Sequence, residues 1–175
     1  MTTTQLNGTS TTAPRWAVRA AHLTALLTLP SGLWRVLLAA GCLAGYTEAG
    51  YTAAGIPGWG RVYVLALSVG SEVLALLTLG LVRPWGEVLP ARLPLVGGRR
   101  LPPRGVTAAA GAVALVLALV WTPFVLWWSL PHPDTTALGA TVAGFLYLPL
   151  VLWGPLLAAV TCAYHRRRTP RGARR

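Results

Sequence analysis

The chain has no lysine, four acidic residues and two cysteines among 175 positions, and charged residues make up only 11% of it. Soluble domains carry about 25% charged residues to keep their surfaces in water, so this scarcity excludes an ordinary soluble fold. Cys42 and Cys162 are too few for a secreted disulfide scaffold. The three histidines, His22, His132 and His165, do not gather into a metal or haem site, and only Glu87 could join His22 and His165 as a further ligand. Neither a metal nor a cofactor is expected. No serine stands in a nucleophile motif with a suitable histidine and acid, Cys162 lacks a positioned base, and no apolar stretch holds paired aspartates. So thin an ionisable inventory argues against an enzyme.

Long apolar runs are what the chain does have: 54% of residues are hydrophobic, with a mean hydropathy of +0.57. A bilayer crossing needs about 20 mostly apolar residues. The expectation is an all-α polytopic membrane protein, four transmembrane helices in an up-down bundle, with spans at about residues 20–45, 62–82, 106–130 and 139–164. Residues 1–14 are Thr-rich, uncharged and without an apolar run, which predicts a disordered tail. Residues 83–104 hold too many prolines and glycines for a span and read as a surface linker. A signal peptide does not fit the first run, which is too long and contains Pro30 and Arg35.

All fifteen basic residues are arginine, giving a net charge of +11. Two precede the first span, five lie in the linker and six in the segment after the fourth span (residues 166–175 and its approach), so thirteen of fifteen fall on one side. By the positive-inside rule that side is the cytoplasm, which places both termini inside a bacterial inner membrane. A pI near 11.4 on a soluble protein would suggest nucleic acid. Here the arginines stand at span ends, and the expected partners are the bilayer and its anionic phospholipid headgroups, with no nucleic acid. The expected headgroup contacts are Arg83, Arg92, Arg99, Arg100, Arg104, Arg166, Arg167 and Arg168.

Two charges fall inside the spans. Arg35 lies ten residues before Gly45 and Glu72 ten residues after Val62, so each is expected roughly 15 Å deep. An isolated charge at that depth costs about 2.5–3.5 kcal/mol on insertion scales, so the two are expected to pair, and the same register brings together Glu48 and Arg61 at the outer face. The pair either locks two helices or serves a ligand; both readings stay open. The pattern L-P-x-x-L-W recurs at residues 29–34 and 148–153, predicting two proline kinks that frame a cavity walled by Trp34, Tyr147 and Trp153. Close helix approach is predicted at Gly41/Gly45, at Ser71/Ala75 and along Ala110, Ala114 and Ala118. An aromatic cluster of Trp121, Phe124, Trp127 and Trp128 suits an interface with headgroups.

The stretches PSGLWR (residues 30–35), EVLALLTLGLVRPWGEVLP (72–90), GGRRLPP (97–103) and YLPLVLWGPLLAAVTCAYHRRR (147–168) resemble a family of small, four-span integral membrane proteins of actinobacteria, over about residues 14–168. The resemblance implies the four-span fold and carries no activity or catalytic residue. In that family an Arg-Trp follows the proline of the VLP stretch, where this chain has Ala91, Arg92 and Leu93. The functional expectation is a non-enzymatic membrane protein that binds a small molecule or protein partner near Arg35 and Glu72, with a membrane-protein partner or a second copy of the chain as the partner readings left open. A small transporter or channel subunit, and a membrane enzyme acting on a lipid or isoprenoid, are the alternatives.

Overall fold

The computed structural model describes residues 12–83 and 102–169. Most of the expected N-terminal tail, the linker residues 84–101 with Glu87, Arg92, Arg99 and Arg100, and residues 170–175 lie outside the described residues. Among the described residues the fold is all-helical. Six α-helices form: α1 (Arg15–Ala39), α2 (Glu48–Ala53), α3 (Arg61–Gly80), α4 (Pro103–Trp121), α5 (Ala137–Tyr147) and α6 (Trp153–Arg168). A π turn at Ile56–Gly60 leads into α3, a 3₁₀ segment at Thr122–Ser129 extends α4, and another at Leu148–Leu152 joins α5 to α6. Joined this way, four helical stretches are long and apolar enough to cross a membrane: Arg15–Ala39, Ile56–Gly80, Pro103–Ser129 and Ala137–Arg168.

The burial pattern is that of a helix bundle in lipid. On α1 the buried positions Ala17, Ala21, Thr24, Thr28, Ser31, Arg35 and Leu38 recur at alternating spacings of four and three, joined by Gly32. That is a heptad seam, yet it is made of small and hydroxylated residues, while Leu23, Leu26, Leu29 and Leu33 point outward. Lipid tails are as apolar as leucine, so leucines gain little by turning inward; small residues let backbones approach and dispersion act. The seam hydroxyls are satisfied locally, Thr24 donating to the Ala20 carbonyl, Thr28 to Ala25 and Ser31 to Thr28, at 2.9–3.0 Å. On α3 the matching residues are Ser68, Ala75 and Thr78.

α1 packs against α3 and α6, and α4 against α6. The directions follow from contacts: His22 meets Arg83 at one end of α1 and Arg35 meets Ser68 near the other, so α1 and α3 are antiparallel. At the α4–α6 crossing a Cβ on Gly154 would stand 2.7 Å from the Ala118 nitrogen and 2.8 Å from the Ala114 oxygen. The predicted stripe of small residues on α4 therefore meets another helix of the same chain. The core beneath it gathers Leu117, Leu150, Trp153, Leu157, Val160 and Tyr164.

Two sequence expectations change. The first span ends as a helix at Ala39 rather than Gly45, because Gly41 (φ 96°), Ala44 (φ 44°) and Gly45 (φ 93°) take left-handed conformations that no helix continues. Gly41 and Gly45 are thus turn residues, not a helix-packing motif. The repeated L-P-x-x-L-W does not give one shape twice: Pro30 sits inside an uninterrupted α1, whereas Pro149 falls in the 3₁₀ break between α5 and α6.

The turn after α1 is clasped to the turn before α5 by a reciprocal set of bonds. Thr47 donates its N–H to the Asp134 carbonyl at 3.0 Å and its hydroxyl to the same oxygen at 3.2 Å. Thr136 does the same to the Gly45 carbonyl, at 2.9 and 3.2 Å. Each threonine also caps its helix, accepting from Gly50 and Gly139 at 3.0 Å. Gly139 packs directly on the backbone of Gly45, and Gly50 on that of Asp134. Tyr46, beside this clasp, has its phenol pushed above the usual tyrosine range, first by burial and then by the Asp134 charge.

Gly139→Ala should lower the melting temperature of the purified protein clearly, since its methyl group would meet the Gly45 carbonyl. Gly70→Ala, with open space around it, should leave the melt unchanged or raise it slightly. Equal melts for the two variants would show that the clasp does not contribute.

Candidate functional site

Arg35 stands one turn from the end of α1 and is only 4% exposed. Its Nε donates to the Ser68 hydroxyl at 3.0 Å and its Nη2 to the Ser71 hydroxyl at 3.2 Å. Both serines are held by their own helix: Ser68 donates to the Val64 carbonyl at 2.9 Å and Ser71 to the Leu67 carbonyl at 2.6 Å. Their protons being engaged, the lone pairs face the guanidinium. The third neighbour is Tyr147 at the end of α5, whose ring centroid lies 5.7 Å from the Arg35 Cζ.

Glu72 is on the same α3 face, but no ion pair joins it to Arg35. Its Oε1 is buried without a hydrogen-bond partner and stands 3.5 Å from where a Cβ on Gly32 would be. The expected pairing is corrected by register. The helices meet with Arg35 opposite Ser68 and Ser71, and the Glu72 carboxylate turns toward Gly32, about one turn before Arg35 on α1. Residue counting from Gly45 had put the two side chains at equal depth.

Nor do Glu48 and Arg61 pair. Glu48 is exposed in the first turn of α2, where its charge complements the helix dipole, and Arg61 reaches toward Gly41. Of the three aromatics expected to wall a single cavity, Tyr147 packs against the core cluster that holds Trp153, and Trp34 belongs to a second cluster. Trp34 packs with Leu38, Tyr51 and Ile56; Trp153 is buried with Leu150 and Leu157; only Tyr147 has its ring over Arg35. Trp153 Nε1 is buried without a hydrogen-bond partner.

Tyr147 opens onto an aromatic train that the sequence pattern announced in part. Its ring lies 5.9 Å from Trp121 and 5.8 Å from Phe124; Phe124 stacks on Trp127 at 4.8 Å, and Trp127 on His132 at 3.7 Å. Trp127 Nε1 donates to the Ala140 carbonyl at 2.9 Å, fixing the train to α5. The rings support Tyr147 and, through it, the position of the guanidinium.

At the opposite end of the bundle, Arg83, Arg104, Arg166, Arg167 and Arg168 lie together by the antiparallel arrangement of their helices. Arg167 is engaged within the protein: it donates to the Leu81 carbonyl at 2.7 Å, capping the last turn of α3, and its Cζ lies 5.9 Å from the Tyr164 ring centroid. Among the described residues no three histidines, cysteines or acids gather to hold a metal ion.

Ser68 is the residue the sequence reading missed. Its signal was available, since Ser68, Ser71, Ala75 and Thr78 follow the same alternation of three and four as the α1 seam. Comparison of the chain with protein-family models, with curated proteins and with solved structures finds no match.

Ser68→Ala should cost about 1 kcal/mol of stability in the wild-type background and nothing beside Arg35→Met. A double-mutant cycle on reversible unfolding in bicelles reads that coupling, and a coupling of zero would show that the Arg35–Ser68 bond is energetically idle.

Proposed function

We propose that this protein is a non-enzymatic integral membrane protein of a bacterial inner membrane that binds a small polar molecule at the α1–α3 seam, beside Arg35 and Glu72. One observation carries the reading: Arg35 is buried, and its protein partners are two neutral hydroxyls and an aromatic face. Hydroxyl groups orient a guanidinium without compensating its charge. Inside a bilayer a cation with no carboxylate in contact is costly, and an ionisable residue there marks a functional site by default. One turn away, the buried Glu72 Oε1 has no donor, and an unsatisfied buried acceptor costs about 1–3 kcal/mol.

The two deficits define the occupant. It has an anionic group to face Arg35 and a hydrogen-bond donor, such as a hydroxyl or an ammonium, to face Glu72. With Arg35 one turn from the end of α1, entry from the clasped end of the bundle is the short route. Binding is favoured over catalysis because the site's ionisable side chains are Arg35, Glu72 and Tyr147, without a nucleophile and its base.

The orientation belongs to the same proposal. The arginine-rich end faces the cytoplasm, as the positive-inside rule requires. That arrangement gives an up-down bundle with both termini inside and the clasp outside, in keeping with the four-span actinobacterial proteins the chain resembles. The basic end rests on anionic headgroups.

Native mass spectrometry of the full chain, released from mild detergent, should show a retained small molecule distinct from phospholipid. Arg35→Met and Glu72→Gln should each lose it while remaining folded. Protein carrying phospholipid alone, or the same adduct on both variants, would refute the proposal.

A further inference from the structure

Along the basic half of α1, one side of the helix is closed by α6 and the adjoining side is not. Ala17 and Ala21, both fully buried, lie on the closed side, where Ala21 packs with Val160 and Tyr164. Next to this contact, Val18, Ala20, Leu23 and Leu26 of α1 and Leu156 of α6 border an open apolar groove of about 670 Å³ that faces the lipid. Leu23 and Leu26 are exposed along it.

The groove is apolar along its length and cationic at its mouth. Arg19 and His22 complete its lining at the basic end. His22 Nδ1 donates to the Val18 carbonyl at 2.7 Å, so in the neutral ring Nε2 is an acceptor, and Arg83 Nη2 comes to 3.5 Å from it. This contact holds Arg83, from the end of α3, against the groove-lining His22. Among the described residues neither arginine has a carboxylate partner. Arg19 in the lining and Arg83 joined to it through His22 make one end of an apolar slot cationic, which matches a ligand with an anionic head and a hydrocarbon tail.

We infer that this groove is a binding site for one anionic phospholipid, its phosphate held by Arg19 and Arg83 and an acyl chain lying along Leu23, Leu26 and Leu156. The site is separate from the Arg35 seam and does not depend on it. His22 acts as a positioning residue, setting Arg83 through its Nε2.

The test uses the full chain reconstituted in vesicles of phosphatidylcholine and phosphatidylglycerol at a ratio of about three to one, with retained lipid identified by native mass spectrometry. Phosphatidylglycerol should be retained out of proportion to its share. Arg19→Gln and Arg83→Gln should each reduce that preference about fivefold, the effect of one well-placed arginine at a headgroup. Leu26→Trp, which fills the groove from a lipid-facing position, should lose the retained lipid while the melting temperature holds. Retention of both lipids in the ratio supplied, or an unchanged preference in both arginine variants, would overturn the inference. Displacement of the lipid by millimolar inorganic phosphate alone would also overturn it, since the acyl chain would then contribute nothing.

Discussion

Within a bilayer, water no longer drives leucine inward, and helices must associate through something else. In this chain the answer is the seam of α1, where Ala17, Ala21, Thr24, Thr28, Ser31, Gly32 and Arg35 are buried while the leucines face lipid. Small side chains let α3 and α6 approach, and the hydroxyls satisfy themselves on their own backbone, so the polar character of the seam costs little. Everything that gives the molecule chemistry follows from that closeness. Arg35 reaches Ser68 and Ser71 because the α1 and α3 backbones are near enough for the Ser68 hydroxyl to stand 3.5 Å from the Gly32 carbonyl.

The clasp at the far end supplies the second constraint. Two turns with the same threonine cap and glycine spacing, Thr47 with Gly50 and Thr136 with Gly139, each donate to the other's carbonyl. The α1–α3 hairpin and the α4–α6 hairpin are thereby fixed to one another where Tyr147 must meet Arg35. Stability and site geometry thus share one source: loosening the clasp shifts α5, and α5 carries the ring over the guanidinium.

How much of this was legible in the sequence varies with the physics involved. The four spans were, because length and hydropathy alone determine whether a helix can cross a bilayer. The stripe Ala110, Ala114 and Ala118 was, because small residues at helical spacing have few other uses. The register of Arg35 against α3 was not, because an apolar count runs straight through Gly41, Ala44 and Gly45, whose left-handed conformations lie beyond the helix end. That slip of register turned a neighbour into a partner, pairing Arg35 with Glu72 where the helix faces offer Ser68 and Ser71. The repeated proline motif was misleading for a related reason: it does not fix a shared geometry when one proline sits inside a continuous helix and the other in a 3₁₀ turn. The clasp was invisible, since its bonds run between residues 87 and 91 positions apart and all end on backbone carbonyls.

The central claim is that Arg35 is held in the seam for binding rather than for the stability of the bundle. A buried charge kept for stability should be missed when it is removed; one kept for a ligand should not, since an apolar side chain of similar length avoids the desolvation cost and leaves Ser68 and Ser71 bonded to their own helix. The direct measurement is the unfolding free energy of Arg35→Met in bicelles against wild type, both free of ligand. The account predicts a variant as stable as the wild type or more so. A loss of about 3 kcal/mol, the cost of breaking a buried ionic contact that the fold relies on, would contradict it and make Arg35 a structural lock.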